Sequence, residues 1–128
     1  EEFLAREREA LRLELALQPV AAEALVHAHC HQKAFSLAES MQVVLSWIPG
    51  LVARPVESSC CGMAGAFGYE ARHYDISMRM GEAALLPAVR NAARKTLIVA
   101  DGFSCRRQIC DGTRREPLHV AQVLERAL

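Results

Sequence analysis

The chain lacks several features that would narrow its role at once. It carries no net charge, since 15 basic and 15 acidic residues cancel among 128. A balanced surface gives no support for nucleic acid or an anionic membrane as partner. There is no apolar run near the roughly 20 residues that span a bilayer, and no signal peptide. No internal repeat or low-complexity tract is visible. Three chemical signatures are also missing. Gly62, Gly65 and Gly68 are spaced G-x-x-G-x-x-G, which fails the dinucleotide fingerprint. No arginine lies within the loop Gly62–Gly68 to hold a phosphate, which counts against a phosphatase-like thiol enzyme using Cys60 or Cys61. There is no Cys-x-x-Cys, the pair a disulfide reductase usually offers. Glu1 stands where a methionine would open a complete chain, so the expectation is a piece of a longer protein.

What is present is 52% hydrophobic content, enough for one domain with its own core. There are five cysteines, an odd number, in a chain rich in helix formers. That is unlike a secreted disulfide scaffold. A reducing, cytoplasmic setting is expected, where clustered cysteines point to metal or redox chemistry.

Residues 1–22 are expected to form an N-terminal helix, over 1–17, and a linker. Leu4, Leu11 and Leu15 share a face, and Gln18-Pro19 ends the helix. A strand is predicted at 24–29, a helix at 33–47 and a second strand at 51–57. Pro55 marks that second strand as an edge or bulge. A helical pattern over 69–91 should be kinked or divided by Pro87. Thr96–Ala100 is a short, continuously apolar strand, a short helix is expected over 106–109, and a last amphipathic helix turns Val120, Val123, Leu124 and Ala127 inward. This alternation predicts a small three-layer α/β domain over 23–128, with a three- or four-stranded, mostly parallel sheet and flanking helices.

In such sheets ligands bind outside the carboxyl ends of the strands. Cys30 follows the first strand, Cys60 and Cys61 the second, and Cys105 the third. Four cysteines far apart in sequence are thus expected at one rim. Adjacent cysteines such as Cys60 and Cys61 rarely bond to each other, because the ring is strained. Four thiolates suit an iron–sulfur cluster or tetrahedral zinc. His27, His29 and His31 alternate along the strand and its exit, and His29 or His31 is a candidate additional ligand. Cys110, five residues past Cys105 on a helix, is read as a small hydrophobe turned away from the rim. His73 and His119 read as ordinary helix-end residues.

The pattern C-x29-C-C-G-x42-C resembles the cysteine-rich CCG domain. The matching segments are 29–34, beginning His29-Cys30-His31, the Cys60-Cys61-Gly62 stretch through Glu70, and 100–106 around Cys105. That domain occurs in heterodisulfide reductase and in the iron–sulfur components of glycolate, glycerol-3-phosphate and lactate oxidation systems. The resemblance is strongest to the C-terminal part of fused FAD-linked oxidases acting on D-2-hydroxy acids. It implies an electron-transfer module holding an iron–sulfur cluster, such as 4Fe-4S, on Cys30, Cys60, Cys61 and Cys105. FAD is then expected in another part of the parent protein, which would oxidise an acid such as D-lactate, glycolate or D-2-hydroxyglutarate. The implied partners are that flavin module and an electron acceptor, in the cytoplasm or against the inner face of the membrane. The piece alone should show no dehydrogenase activity. One departure stands out: Gly102 occupies the first position of the family's Cys-x-x-Cys, so only Cys105 remains there. This leaves open a four-cysteine cluster, a zinc site, and a metal-free structural or interaction domain.

Overall fold

A computed structural model describes residues 1–128. Three parallel strands form one sheet: β1 (Ala22–His27), β2 (Leu51–Pro55) and β3 (Leu97–Ala100), in the order β2-β1-β3. β1 is central, with Ala24 opposite both Ala53 and Leu97. β2 lies at the edge, where Pro55 removes no ladder hydrogen bond from the interior. The outer edge of β3 is covered by Leu118, which exchanges main-chain hydrogen bonds with Ile98 and Ala100 at 2.8 and 2.9 Å. An edge paired in this way is no longer open to other chains.

Seven helices surround the sheet. α1 (Glu2–Glu9) packs on the pair α2 (Cys30–Ala34) and α3 (Ala38–Ser46) through α3. α4 (Tyr74–Glu82) and α5 (Leu85–Asn91) bridge β2 to β3, and α6 (Phe103–Thr113) and α7 (Val120–Glu125) follow β3. The chain crosses in one direction from β1 to β2 and in the other from β2 to β3. With one crossover hand, α3 and α5 must lie on opposite faces.

Two cores result. On one face Ala24, Val26 and Val99 meet Met41, Val44, Leu45 and Ile48 of the α3 region. Val120, Val123, Leu124 and Ala127 close that core, as their spacing predicts. Leu4, Leu17 and Val20 of the N-terminal segment lie against it, and Arg8 sits 4.5 Å over the Trp47 ring. On the other face Ile98, Ala100 and Val56 meet Leu85, Val89 and Ile109, together with Cys61, Met63 and Cys105. Arg115 binds this side to the sheet end, donating to the carbonyls of Ala92, Ala93, Arg94 and Thr96.

The helices are shorter than periodicity predicts, and each break has a local cause. The first ends at Glu9 rather than 17, where Leu11 adopts φ 56 and Arg12 folds back onto Glu7 at 2.7 and 2.8 Å. The 33–47 pattern starts early at Cys30 and is cut at Phe35–Leu37, with Ser36 at φ 58. The 69–91 pattern opens with 3-10 turns at Phe67–Tyr69 and Ala71–His73, then breaks at Ala83–Ala84. Pro87 therefore sits in the first turn of α5, where its missing N–H costs nothing. α6 is longer than the expected 106–109 and takes in both Cys105 and Cys110.

Candidate metal centre

The sheet order reverses beside β1, so the switch point lies between β1 and β3, above their carboxyl ends. β1 alternates its side chains across the sheet. Ala24 and Val26 face the first core, so Leu25 and His27 face the second. β1 stops at His27, and His27 alone of the three alternating histidines is fully buried, at 1% exposure. Its Nδ1 lies 2.9 Å from the Ser58 hydroxyl, and its Nε2 has no hydrogen-bond partner.

Facing it are Cys61, from the loop after β2, and Cys105, from the first turn of α6. They are 4% and 1% exposed. One His27 ring nitrogen and the two Sγ atoms all lie within 4.8 Å of one another. The two thiols titrate as a pair. Cys61 is drawn well below the usual thiol range, chiefly by the hydrogen bond from Cys105 and further by His27, against the opposing effect of burial. Cys105 is pushed up, first by holding that shared proton and then by burial. Two buried thiols, one of them drawn toward its thiolate form, beside an unpartnered imidazole nitrogen are donor chemistry that fits iron or zinc.

Cys30 and Cys60 lie outside this close group and are partly exposed. Their charges act on Cys105, and that of Cys30 acts on Cys60. Burial raises Cys60, while the Gly62 N–H, at 3.3 Å from its sulfur, works the other way. Of the four sequence-predicted cysteines, Cys61 and Cys105 are brought together with His27, while Cys30 and Cys60 lie outside that close group. Cys110 lies away from it, in a surface groove with Phe103, Arg106, Arg107, Glu116 and Pro117.

His29 is committed elsewhere: its Nδ1 accepts from the His31 N–H at 3.2 Å while Gln32 caps the His29 N–H at 2.8 Å. This reciprocal cap opens α2. Its ring fills the space beside Gly102, where a Cβ would stand 2.5 Å from His29 and 2.9 Å from the Cys105 sulfur. His31 is exposed. The position that sequence reasoning passed over is His27. The signal for it was its alternation with Leu25, once the strand end is known.

The loop bearing the cysteine pair is held from three sides. Gly62, at φ 96, lies so close to the Ser77 carbonyl that a Cβ would stand 2.1 Å from that oxygen. Gln108 of α6 ties in through Ser77, donating to its hydroxyl at 3.2 Å. Lys33 reaches from α2 and donates to the Ser58 and Ser59 carbonyls, the latter at 3.2 Å. Replacing Lys33 with Met keeps the stem and deletes the ammonium. The variant should lose about 1.5–3 kcal/mol of stability in urea unfolding, and metal affinity should fall about 10–100-fold, as for other supporting residues. Unchanged unfolding and unchanged metal titration would show that Lys33 does not hold this loop.

No family model matches the chain, and no solved structure matches it. The chain is 30% identical over 114 residues to one of the subunits of the anaerobic glycerol-3-phosphate dehydrogenase of Escherichia coli strain K12, and equally to its counterpart in strain O157:H7. Each match covers 89% of this chain and 28% of the relative. A shorter similarity, 37% over 54 residues, covers 42% of this chain and 5% of the D-2-hydroxyglutarate dehydrogenase of strain K12. The chain therefore spans less than a third of the length of the curated relatives it matches, and those relatives are oxidoreductases by name. No helix is long and apolar enough to cross a membrane.

Proposed function

We propose that this chain is the iron–sulfur electron-transfer module of an FAD-linked oxidoreductase acting on a 2-hydroxy acid such as D-lactate, glycolate or D-2-hydroxyglutarate. The observation that carries this reading is the buried group of Cys61 and Cys105 beside His27. Similarity to segments of two dehydrogenases supports it. Cys30, Cys60, Cys61 and Cys105 would hold the cluster, with residues 23–128 as the CCG-type domain that carries them. When bound, the cluster supplies one-electron transfer without atom transfer.

The chain's own residues do the rest. The segments after β2 and β3 bring Cys61 and Cys105 together, and burial keeps water from them. Cys105 and His27 draw the Cys61 thiol below its usual range, toward the form that binds metal. Lys33 and Ser77 keep the loop between β2 and α4 in place. Flavin and substrate would belong to another part of the parent protein or to a partner protein, on the cytoplasmic side.

A second reading draws on the same observation. An imidazole beside two thiolates is also a zinc donor set, and zinc would make the domain a structural or interaction unit. Metal and acid-labile sulfide analysis with EPR, on the full chain purified and reconstituted without oxygen, separates the two. The expected result is stoichiometric iron and sulfide in the wild type, lost in Cys61→Ser and in Cys105→Ser. Zinc without iron uptake would overturn the electron-transfer reading in favour of the structural one. No metal under any condition would overturn both.

A further inference from the structure

We propose that Nε2 of His27 is itself a metal donor at this site, beside the Cys61 and Cys105 thiols. The group would then be held by imidazole and thiolates together rather than by thiolates alone. This inference rests on the reading of the rim as a metal site.

Three observations carry it. First, His27 is buried and its Nε2 is unpartnered. Buried polar atoms are nearly always bonded, and the exceptions call for an explanation. The His27 ring offers one nitrogen to a group in which that atom and the Cys61 and Cys105 sulfurs all lie within 4.8 Å of one another. Second, the other nitrogen is already oriented. Nδ1 is engaged with the Ser58 hydroxyl at 2.9 Å, which leaves Nε2 as the ring nitrogen without a partner. Histidine ligands characteristically fix their tautomer by such a second bond. The orienting hydroxyl stands two residues before Cys60, so one loop positions both kinds of donor. Third, the alternatives are closed. The space a side chain at position 102 would need is filled by the His29 ring, and the His29 Nδ1 is occupied in capping α2.

Such a donor has an electrical consequence. A neutral imidazole in place of a thiolate removes one negative charge from the donor set. In iron–sulfur centres, histidine for cysteine raises the reduction potential. A group held by His27 should therefore be easier to reduce than an all-cysteine one.

Pulsed EPR and potentiometry on the anaerobically reconstituted full chain test this, with cobalt(II) titration of the metal-free chain as a second route. Wild type is compared with His27→Ala, His27→Gln and His27→Cys. The wild-type signal should carry nitrogen hyperfine coupling from one histidine. That coupling should vanish in all three variants. His27→Cys should take up iron and show a lower potential than wild type. His27→Ala should bind cobalt at least about tenfold more weakly, in line with losses seen for supporting residues alone. Far-UV circular dichroism of the metal-free variants reports folding separately, and the wild-type spectrum decides the matter even if His27→Ala does not fold.

A wild-type signal without nitrogen coupling overturns the inference. So does a folded His27→Ala that takes up iron and sulfide as well as wild type, with its coupling and potential unchanged, and this leaves the electron-transfer reading standing. Uptake of cobalt or zinc but never iron, with His27 coordination seen in the cobalt form, does the reverse: it upholds the ligand and removes the electron-transfer role.

Discussion

Gly62→Ala should unfold the cysteine loop and cost more than about 4 kcal/mol, a range that single substitutions reach only through a named steric or burial failure. Two penalties combine here. At φ 96 the backbone is in a region that a residue with a Cβ rarely adopts. That Cβ would also stand 2.1 Å from the Ser77 carbonyl oxygen and 2.9 Å from the carbonyl carbon. These are main-chain atoms inside α4, so no side chain can swing aside. Either the loop lifts from α4 or α4 moves, and Cys61 moves with it.

Gly65→Ala is the matched control. Gly65 also has positive φ, at 67, but nothing lies within 4 Å of its would-be Cβ. Its alanine variant should lose only the backbone penalty, about 1–2 kcal/mol. Urea unfolding of both variants checks the difference, and metal titration should show that only Gly62→Ala loses the site. Equal costs for the two would mean that close approach to Ser77 does not shape this loop.

Leu86→Ala should cost about 2–5 kcal/mol, because it leaves a cavity that the surroundings cannot fully close. Leu86 is wholly buried in α5, between two glycines on neighbouring helices. A Cβ on Gly81 of α4 would stand 3.1 Å from its Cδ1, and one on Gly112 of α6 would stand 2.8 Å away. The two glycines let α4 and α6 close over this one side chain. They also bring Gln108 to Ser77, behind the cysteine loop.

A double-mutant cycle tests the arrangement. Gly112→Ala alone should overpack the contact and cost about 1–3 kcal/mol. In the Leu86→Ala background the added methyl enters space already vacated, so the two losses should fall short of their sum by about 0.5–3 kcal/mol. Strict additivity in urea unfolding would show that Leu86 and Gly112 do not share one contact.

Local pattern was a good guide wherever a short run of residues settles the matter. The strand around Ala24, the edge strand marked by Pro55 and the apolar run before Ala100 are all present, since alternation and proline act within a few residues, but the first runs 22–27 rather than 24–29 and the second stops at Pro55 rather than 57. The last helix turned inward the four residues its spacing named. Helix ends were less legible. The cut at Ser36 and the late start of α4 leave the apolar period almost undisturbed. They follow from a positive φ and from 3-10 turns packed under the cysteine loop, where Phe67 stacks on His73 at 4.0 Å.

By itself, then, the sequence determined the α/β class and the placing of Cys61 and Cys105 on segments that follow two parallel strands. Strand order along the chain and the shared polarity of parallel strands are sufficient for that. Only the tertiary structure decided which of the candidate side chains are buried and which are partly exposed. His27 is turned inward because β1 ends on it, and His29, two residues on, is spent on a helix cap. Cys61 is buried while its neighbour Cys60 is not, because Gly62 is pressed against Ser77. Gly102 is vacant of a side chain, but its space is taken by a ring from another segment. Each of these facts depends on contacts between residues far apart in the chain, and no local period encodes such a contact.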